Sequence, residues 1–451
     1  MSARLVDLSP GRAVWQVAWP MAALGVLRAG FHLTDSFFVG RLGPEALAAL
    51  GGSAFGWWVI VLACDLPAVG AHARVARHEG AGDRARIGET LAQGLWVGLG
   101  LAALLALAYP LRGLYFELLG FARGSSEHAL GSEYLGAALL GASTLAASAV
   151  IGAAFRGLGQ TRTALAITAF ALVVNAALDP LLIWGIGPFP RLGVGGAAWA
   201  TAIANAFAAG LALWLLSGRG VRLRVHRPVR GELTAIATIG LPVTASGIGF
   251  AICYVVLGRA ITSFGSEQMG ALGVGHRLEG LAYLVCLAFG VGAATMVGQH
   301  LGAGDPLRAR ESARAAARSA SLIMVPVTVA LFVLARPLFG LFTDDPATVD
   351  AGVLYLRIQV AVLVFMALEE VYLGAFAGAG DTLAASAITF FFTAARIPVA
   401  WWLAYDAGLG VAGVWLAIAA STAIKGALLW AWWRRGRWQP AVPERVATRA
   451  A

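Results

Sequence analysis

The chain has 451 residues, 59% hydrophobic and 13% charged, with a mean hydropathy of +0.76; a soluble globular protein carries about twice that charged fraction. The composition excludes a soluble domain, so the net charge of +9 is read as arginine in loops that set topology, not as a nucleic-acid footprint. The single lysine, Lys425, precedes Gly426 and Ala427, which excludes a phosphate loop of the GxxxxGKS/T kind and an ATP-driven activity built on one.

Apolar runs of spanning length fall at 13–40, 46–72, 90–112, 133–155, 163–186 and 194–217. After a basic break they resume at 233–263, 268–297, 315–342, 351–377, 383–405 and 411–433. Twelve transmembrane helices are predicted, since only helices satisfy their own backbone over such runs. The first run contains Pro20 and is too long for a signal-peptide core. The break between the sets carries Arg219, Arg222, Arg224, Arg227 and Arg230, which places it in the cytoplasm. An even number of spans on each side then puts both termini there. Arg74, Arg77, Arg84 and Arg86, then Arg308, Arg310, Arg314 and Arg318, then Arg434, Arg435 and Arg437 fall on the same side. Cys64, Cys253 and Cys286 lie in apolar runs without metal or disulfide spacing and read as small hydrophobes.

Short motifs recur at nearly constant spacing. Pro20 and Pro242, ALG at 49 and 271, and GAGD at 80 and 302 are each 222 residues apart. RGLGQT at 156–161 matches AGAGDT at 377–382, and LGVGGAAW at 192–199 matches LGVAGVW at 409–415. The order and spacing imply a duplicated six-helix unit, with lobes at 1–217 and 233–451 joined by a basic linker at 218–232. Six is even, so a pseudo-two-fold axis should run along the membrane normal, a plan that secondary transporters use. The glycine turns have a structural reading: Asp83, Asp305 and Asp381 cap or turn the chain.

Acids within spans are costly and persist mainly where they face a polar cavity or a partner. Asn175 and Asp179 are four residues apart and share one helix face. Asp35 lies near the outer end of the first span, where it either pairs locally with Arg28 or Arg41 or meets Asp179. By the repeat offset Asp35 corresponds to Leu257 and Asp179 to Ile397. The acids are therefore peculiar to the first lobe, which points to a site rather than to a scaffold requirement. Burial favours the neutral form of a carboxyl, and a second carboxylate favours it further. Such a pair suits a shared proton, or, with both groups ionised, a hard monovalent cation.

Taken together, Pro20, DSFFVGRLGPEALAAL at 35–50, RGLGQT at 156–161, NAALDPLLI at 175–183, GGAAWAT at 195–201, GAGD at 302–305 and GAGDT at 378–382 resemble the multidrug and toxic compound extrusion (MATE) transporters, most closely their DinF-like subgroup. The resemblance implies a monomeric two-lobed antiporter of the inner (plasma) membrane. It would export organic, typically cationic, compounds against an inward flow of Na⁺ or H⁺, with no cofactor beyond that ion. It further implies a cation site, for Na⁺ or a proton, from Asp35, Asn175, Asp179 and Thr201 side chains with the main chain of Ala197, and a hinge at Pro20. Glu369 and Glu370 in the tenth span leave a second-lobe contribution open.

Other intramembrane groups read more plainly. Arg28, Arg259, Arg277 and Arg396 are expected to pair locally or snorkel. Trp401, Trp402, Trp430, Trp432 and Trp433 fit interfacial belts, and Trp57, Trp58 and Trp184 are candidates to line a cavity. A lipid-linked sugar flippase of the same plan is the alternative, but it calls for several cavity cations. His32, His72, His78 and His276 form no HExxH pair, so an enzyme is not expected.

Overall fold

The computed structural model describes residues 5–224, 227–436 and 438; Arg437 and the side chain of His32 lie outside that description. The first lobe is built from α1 (Pro10–Gly40), α2 (Pro44–Gly80), α3 (Arg84–Leu107), α4 (Ser126–Gly157), α5 (Thr161–Trp184) and α6 (Gly193–Ser217). The second is built from α7 (Arg230–Thr262), α8 (Ser266–Gly302), α9 (Pro306–Val333), α10 (Pro346–Val360 continued by Leu363–Ala379), α11 (Leu383–Trp401) and α12 (Val411–Arg434). Ten of these helices, and the bent pair that makes α10, are long and apolar enough to cross a membrane. α1 has the length of a twelfth span at 31 residues, although it carries Arg28 and Asp35.

The duplication is visible in how the lobes touch. At Gly80 on α2 a Cβ would run into the carbonyl oxygen of Gln299 on α8, and at Gly302 one would run into that of Arg77 on α2. These two contacts exchange under the 222-residue repeat, as a pseudo-two-fold axis between α2 and α8 requires. Gly240 on α7 meets the Leu66 carbonyl in the same way. Only glycine admits so close a backbone approach.

The lobes are latched at the end that carries the arginine-rich loops. Arg74 pairs with Glu232 at 2.6 Å, Arg77 donates to the Ala379 carbonyl at 2.9 Å, and Gln299 donates to that of Gly157 at 2.8 Å. Buried His72 meets Thr295 at 2.9 Å. The first turns of α1, at Ala13, Val14 and Ala18, are buried within the second lobe's core.

Local signals act as their chemistry dictates. Asp83 accepts from the Arg86 amide and Asp305 from that of Arg308, after glycines at φ 73° and 76°. Asp381 does not cap; the residue before α11 is Thr382. The three cysteines are buried and unbridged. Two features depart from expectation. α10 bends by 51° without proline or glycine at the break, because the Thr328 hydroxyl of α9 takes the Val360 carbonyl at 3.1 Å and draws it out of the helical ladder. Trp433 is not in an interfacial belt: it is 2% exposed and stacks on Trp438 at 4.1 Å.

Candidate functional site

The first lobe brings Asp35, Asn175, Asp179 and Thr201 together from α1, α5 and α6. Asn175 and Asp179 face inward because they lie one turn apart on α5, and both are wholly buried. The Asn175 Nδ2 donates to Asp179 Oδ1 at 3.3 Å and to Thr201 Oγ1 at 3.2 Å. Asp35 stands within interaction distance of both Asp179 and Asn175, and it lines an internal cavity of this lobe. It makes no ion pair with Arg28, and Arg41 instead lies over the Phe37 ring. Ala197 is fully buried one turn before Thr201 on α6.

Three oxygens of this cluster, Asp35 Oδ1, Asn175 Oδ1 and Asp179 Oδ2, are buried with no hydrogen-bond partner among the described residues. Buried oxygens are nearly always paired, and two carboxylates facing one another repel unless a proton or cation lies between them. The donor set is all oxygen, which suits a proton or a hard cation such as Na⁺. Tyr134 of α4 is buried within electrostatic reach of both acids and packs on Trp57. No motif marked it, and its only sequence signal is a counterpart, Tyr355, 221 residues on.

The cavity extends from Asp35 and Thr201 past Trp57, Asn205 and Asp65 to Arg28 and Arg156. Trp57 lines it, but Trp58 packs on Phe250 across the lobe boundary and Trp184 packs edge-on to Phe38.

Pro20 is buried inside an unbroken α1. A proline cannot donate to the carbonyl four residues earlier, which here is Gln16. That carbonyl accepts instead from the Thr161 hydroxyl of α5 at 3.5 Å. In the second lobe Pro242 frees the Thr238 carbonyl; the Thr382 hydroxyl lies 3.3 Å from it and donates more closely, at 2.9 Å, to the neighbouring Ile239 carbonyl. Both threonines end the repeated RGLGQT and AGAGDT motifs.

The second lobe has a different polar interior. Lys425 pairs with Glu369 at 2.6 Å, with side chains 3% and 7% exposed. Arg396, buried rather than snorkelling, donates to Ser421 and Thr422. Tyr355 donates to Glu279 at 2.9 Å. In the sequence Lys425 served only to exclude a phosphate loop; its partner Glu369 lies 56 residues away, on another helix.

Two duplicated helical lobes, latched at one end and enclosing a cavity with unpartnered acids, define a membrane transporter. A family model described as MatE matches residues 20–181 and again 242–402, and the chain belongs to that family, the MATE transporters. It is therefore a transporter and not an enzyme. It is 30% identical to the multidrug resistance protein NorM of Burkholderia vietnamiensis, over 92% of each chain. It is 26% identical to a probable NorM of Thermotoga maritima, over 94% of this chain and 92% of that one. Among solved structures, an outward-facing multidrug resistance MATE transporter superposes with a TM-score of 0.86 at 23% identity, covering 96% and 97% of the two chains.

Proposed function

We propose that this protein is an ion-coupled antiporter that exports organic compounds, with Asp35 and Asp179 as its coupling site. The observation that carries the reading is the set of three unpartnered buried oxygens at Asp35, Asn175 and Asp179, beside a cavity that Asp35 lines. A proton or Na⁺ entering between the carboxylates relieves their repulsion, with Thr201 and the Ala197 main chain completing the coordination. A cationic group on the cargo competes for the same acids, so ion and cargo exclude one another, as antiport requires. The names of the NorM relatives support multidrug cargo, and family membership favours export over a lipid-linked sugar flippase. Acids without a basic partner at Asp35 and Asp179, at positions where the second lobe carries Leu257 and Ile397, fit the DinF-like subgroup.

The arginine-rich end is assigned to the cytoplasm, with both termini there and the protein in the inner (plasma) membrane. The latches of Arg74, Arg77 and Gln299 then close the cytoplasmic side. Pro20 is the hinge: α1 bends when the carboxylates change charge, and the Thr161–Gln16 bond opens or closes with it. Two lobes suffice, so one chain is the transporting unit, and no ATP takes part.

The test is export from proteoliposomes of a fluorescent organic cation, under a pH gradient and a sodium gradient applied separately. Export driven by one gradient and lost in Asp35→Asn is expected. Unimpaired export in that variant would overturn the assignment.

A further inference from the structure

We propose that the first-lobe cavity is two-ended and binds amphoteric organic compounds, with an amine or other cationic group at Asp35 and a carboxylate or phosphate group between Arg28 and Arg156. The inference deepens the export reading by naming the cargo class, and it is tested by binding alone.

The cavity's charges are sorted along its length. On α1, Leu24, Arg28 and Asp35 all line it, and the seven residues from Arg28 to Asp35 separate them by about 10 Å along the axis. On α4 the lining face runs through Leu145, Ser148, Gly152 and Arg156, which leads toward the latched end. Arg156 lies within electrostatic reach of Arg28 and of Asp65. Its Nη1 lies over Gly152, 3.5 Å from where a Cβ would stand. The guanidinium thus runs back along the face of its own helix, over the residue one turn earlier.

Arginine within a span normally pairs with an acid or snorkels to the interface. Arg28 sits near the middle of α1 and is exposed to the cavity, not buried against an acid. Among the described residues neither guanidinium has a carboxylate within ion-pair distance. Asp65 also faces this end, so the end has two positive charges against one negative. Guanidinium groups bind carboxylate and phosphate oxygens in pairs and hold them more specifically than a point charge does. A purely cationic cargo would be repelled here. A cargo with charges of both signs satisfies both ends, while its cationic group still competes with the coupling ion at Asp35.

The experiment titrates purified full-length protein in detergent with two fluorescent dyes, a rhodamine free acid and its methyl ester, and reads fluorescence anisotropy. They share the cationic ring system and differ in one carboxylate. The acid is expected to bind about tenfold tighter than the ester, the scale of a charge-assisted hydrogen-bonded pair. Arg28→Gln and Arg156→Gln should each narrow that difference, with Arg28→Lys restoring part of it, and Asp65→Asn should widen it. Equal binding of the two dyes by the unaltered protein overturns the proposal, as does an equal loss for both dyes in the arginine variants. A clear preference for the acid, in protein that exports neither dye under either gradient, supports the two-ended cavity and overturns the export reading instead.

Discussion

In the first lobe Asp179 on α5 lies beside Asp35, and neither acid has an ion pair with a basic side chain among the described residues; in the second, Glu369 on α10 holds Lys425 at 2.6 Å. At the positions of Asn175 and Asp179 the second lobe carries Thr393 and Ile397, and at that of Asp35 it carries Leu257. Both lobes keep the proline in the first helix, with a threonine hydroxyl set against the carbonyls beside the break. The comparison separates scaffold from site. What the repeats share, the proline–threonine pair and the glycine crossings, belongs to the common scaffold. What they do not share is charge: Glu369 is paired with Lys425, whereas Asp35 Oδ1 and Asp179 Oδ2 have no hydrogen-bond partner among the described residues.

Substitutions sharpen this contrast, beginning with the largest effect. Asp179→Asn removes one of the two facing carboxylates and should lower gradient-driven export more than tenfold at normal membrane levels, an effect of over about 1.4 kcal/mol. Quantitative immunoblotting alongside the transport assay checks it. Glu369→Ala leaves Lys425 buried without a counter-charge and should cost about 3–5 kcal/mol of stability. The paired Glu369→Met and Lys425→Met variant should recover melting temperature and export together. If the double variant is stable but inactive, the second-lobe pair takes part in transport.

Thr161→Val removes the donor to the Gln16 carbonyl, and Thr382→Val removes the donor shared by the Ile239 and Thr238 carbonyls, each at about 1–3 kcal/mol. Thermal unfolding in detergent measures both. The account expects the Thr161 variant also to slow turnover, because its bond lies on the hinge of the helix that carries Asp35. Equal turnover defects in both variants would erase the distinction between the lobes at this point. Gly302→Ala should have a narrower effect, loosening the latched end by forcing the Arg77 carbonyl away. Accessibility of a cysteine introduced at that end reports it.

Helix positions were legible because each span must be apolar over a fixed length, and the duplication because its motifs mark turns with fixed geometry. The grouping of Asp35, Asn175, Asp179 and Thr201 was legible in part. The one-turn spacing on α5 aligns two of them, Asp35 showed as an acid in the first span with a local and a site reading both open, and the family resemblance supplied Thr201. The break in α10 was hidden because it arises from Thr328 on a neighbouring helix rather than from any residue at the break. Lys425 and Glu369 each showed as a charge in an apolar run, but only the packing of α10 on α12 pairs them. Arg156 was read as part of a turn motif; that its guanidinium lines the cavity depends on how α4 packs against α2 and α6, which no local pattern records.

The central claim is that the first-lobe carboxylates hold the coupling ion and release it to cargo. Its most direct test is ion exchange on purified protein. A rhodamine ester is added in weakly buffered solution while proton release and displacement of radioactive sodium are followed, in the unaltered protein and in Asp35→Asn and Asp179→Asn. The account predicts that cargo binding releases one of the two ions and that either substitution abolishes the release. Undiminished release in both variants would place the coupling site elsewhere in the molecule.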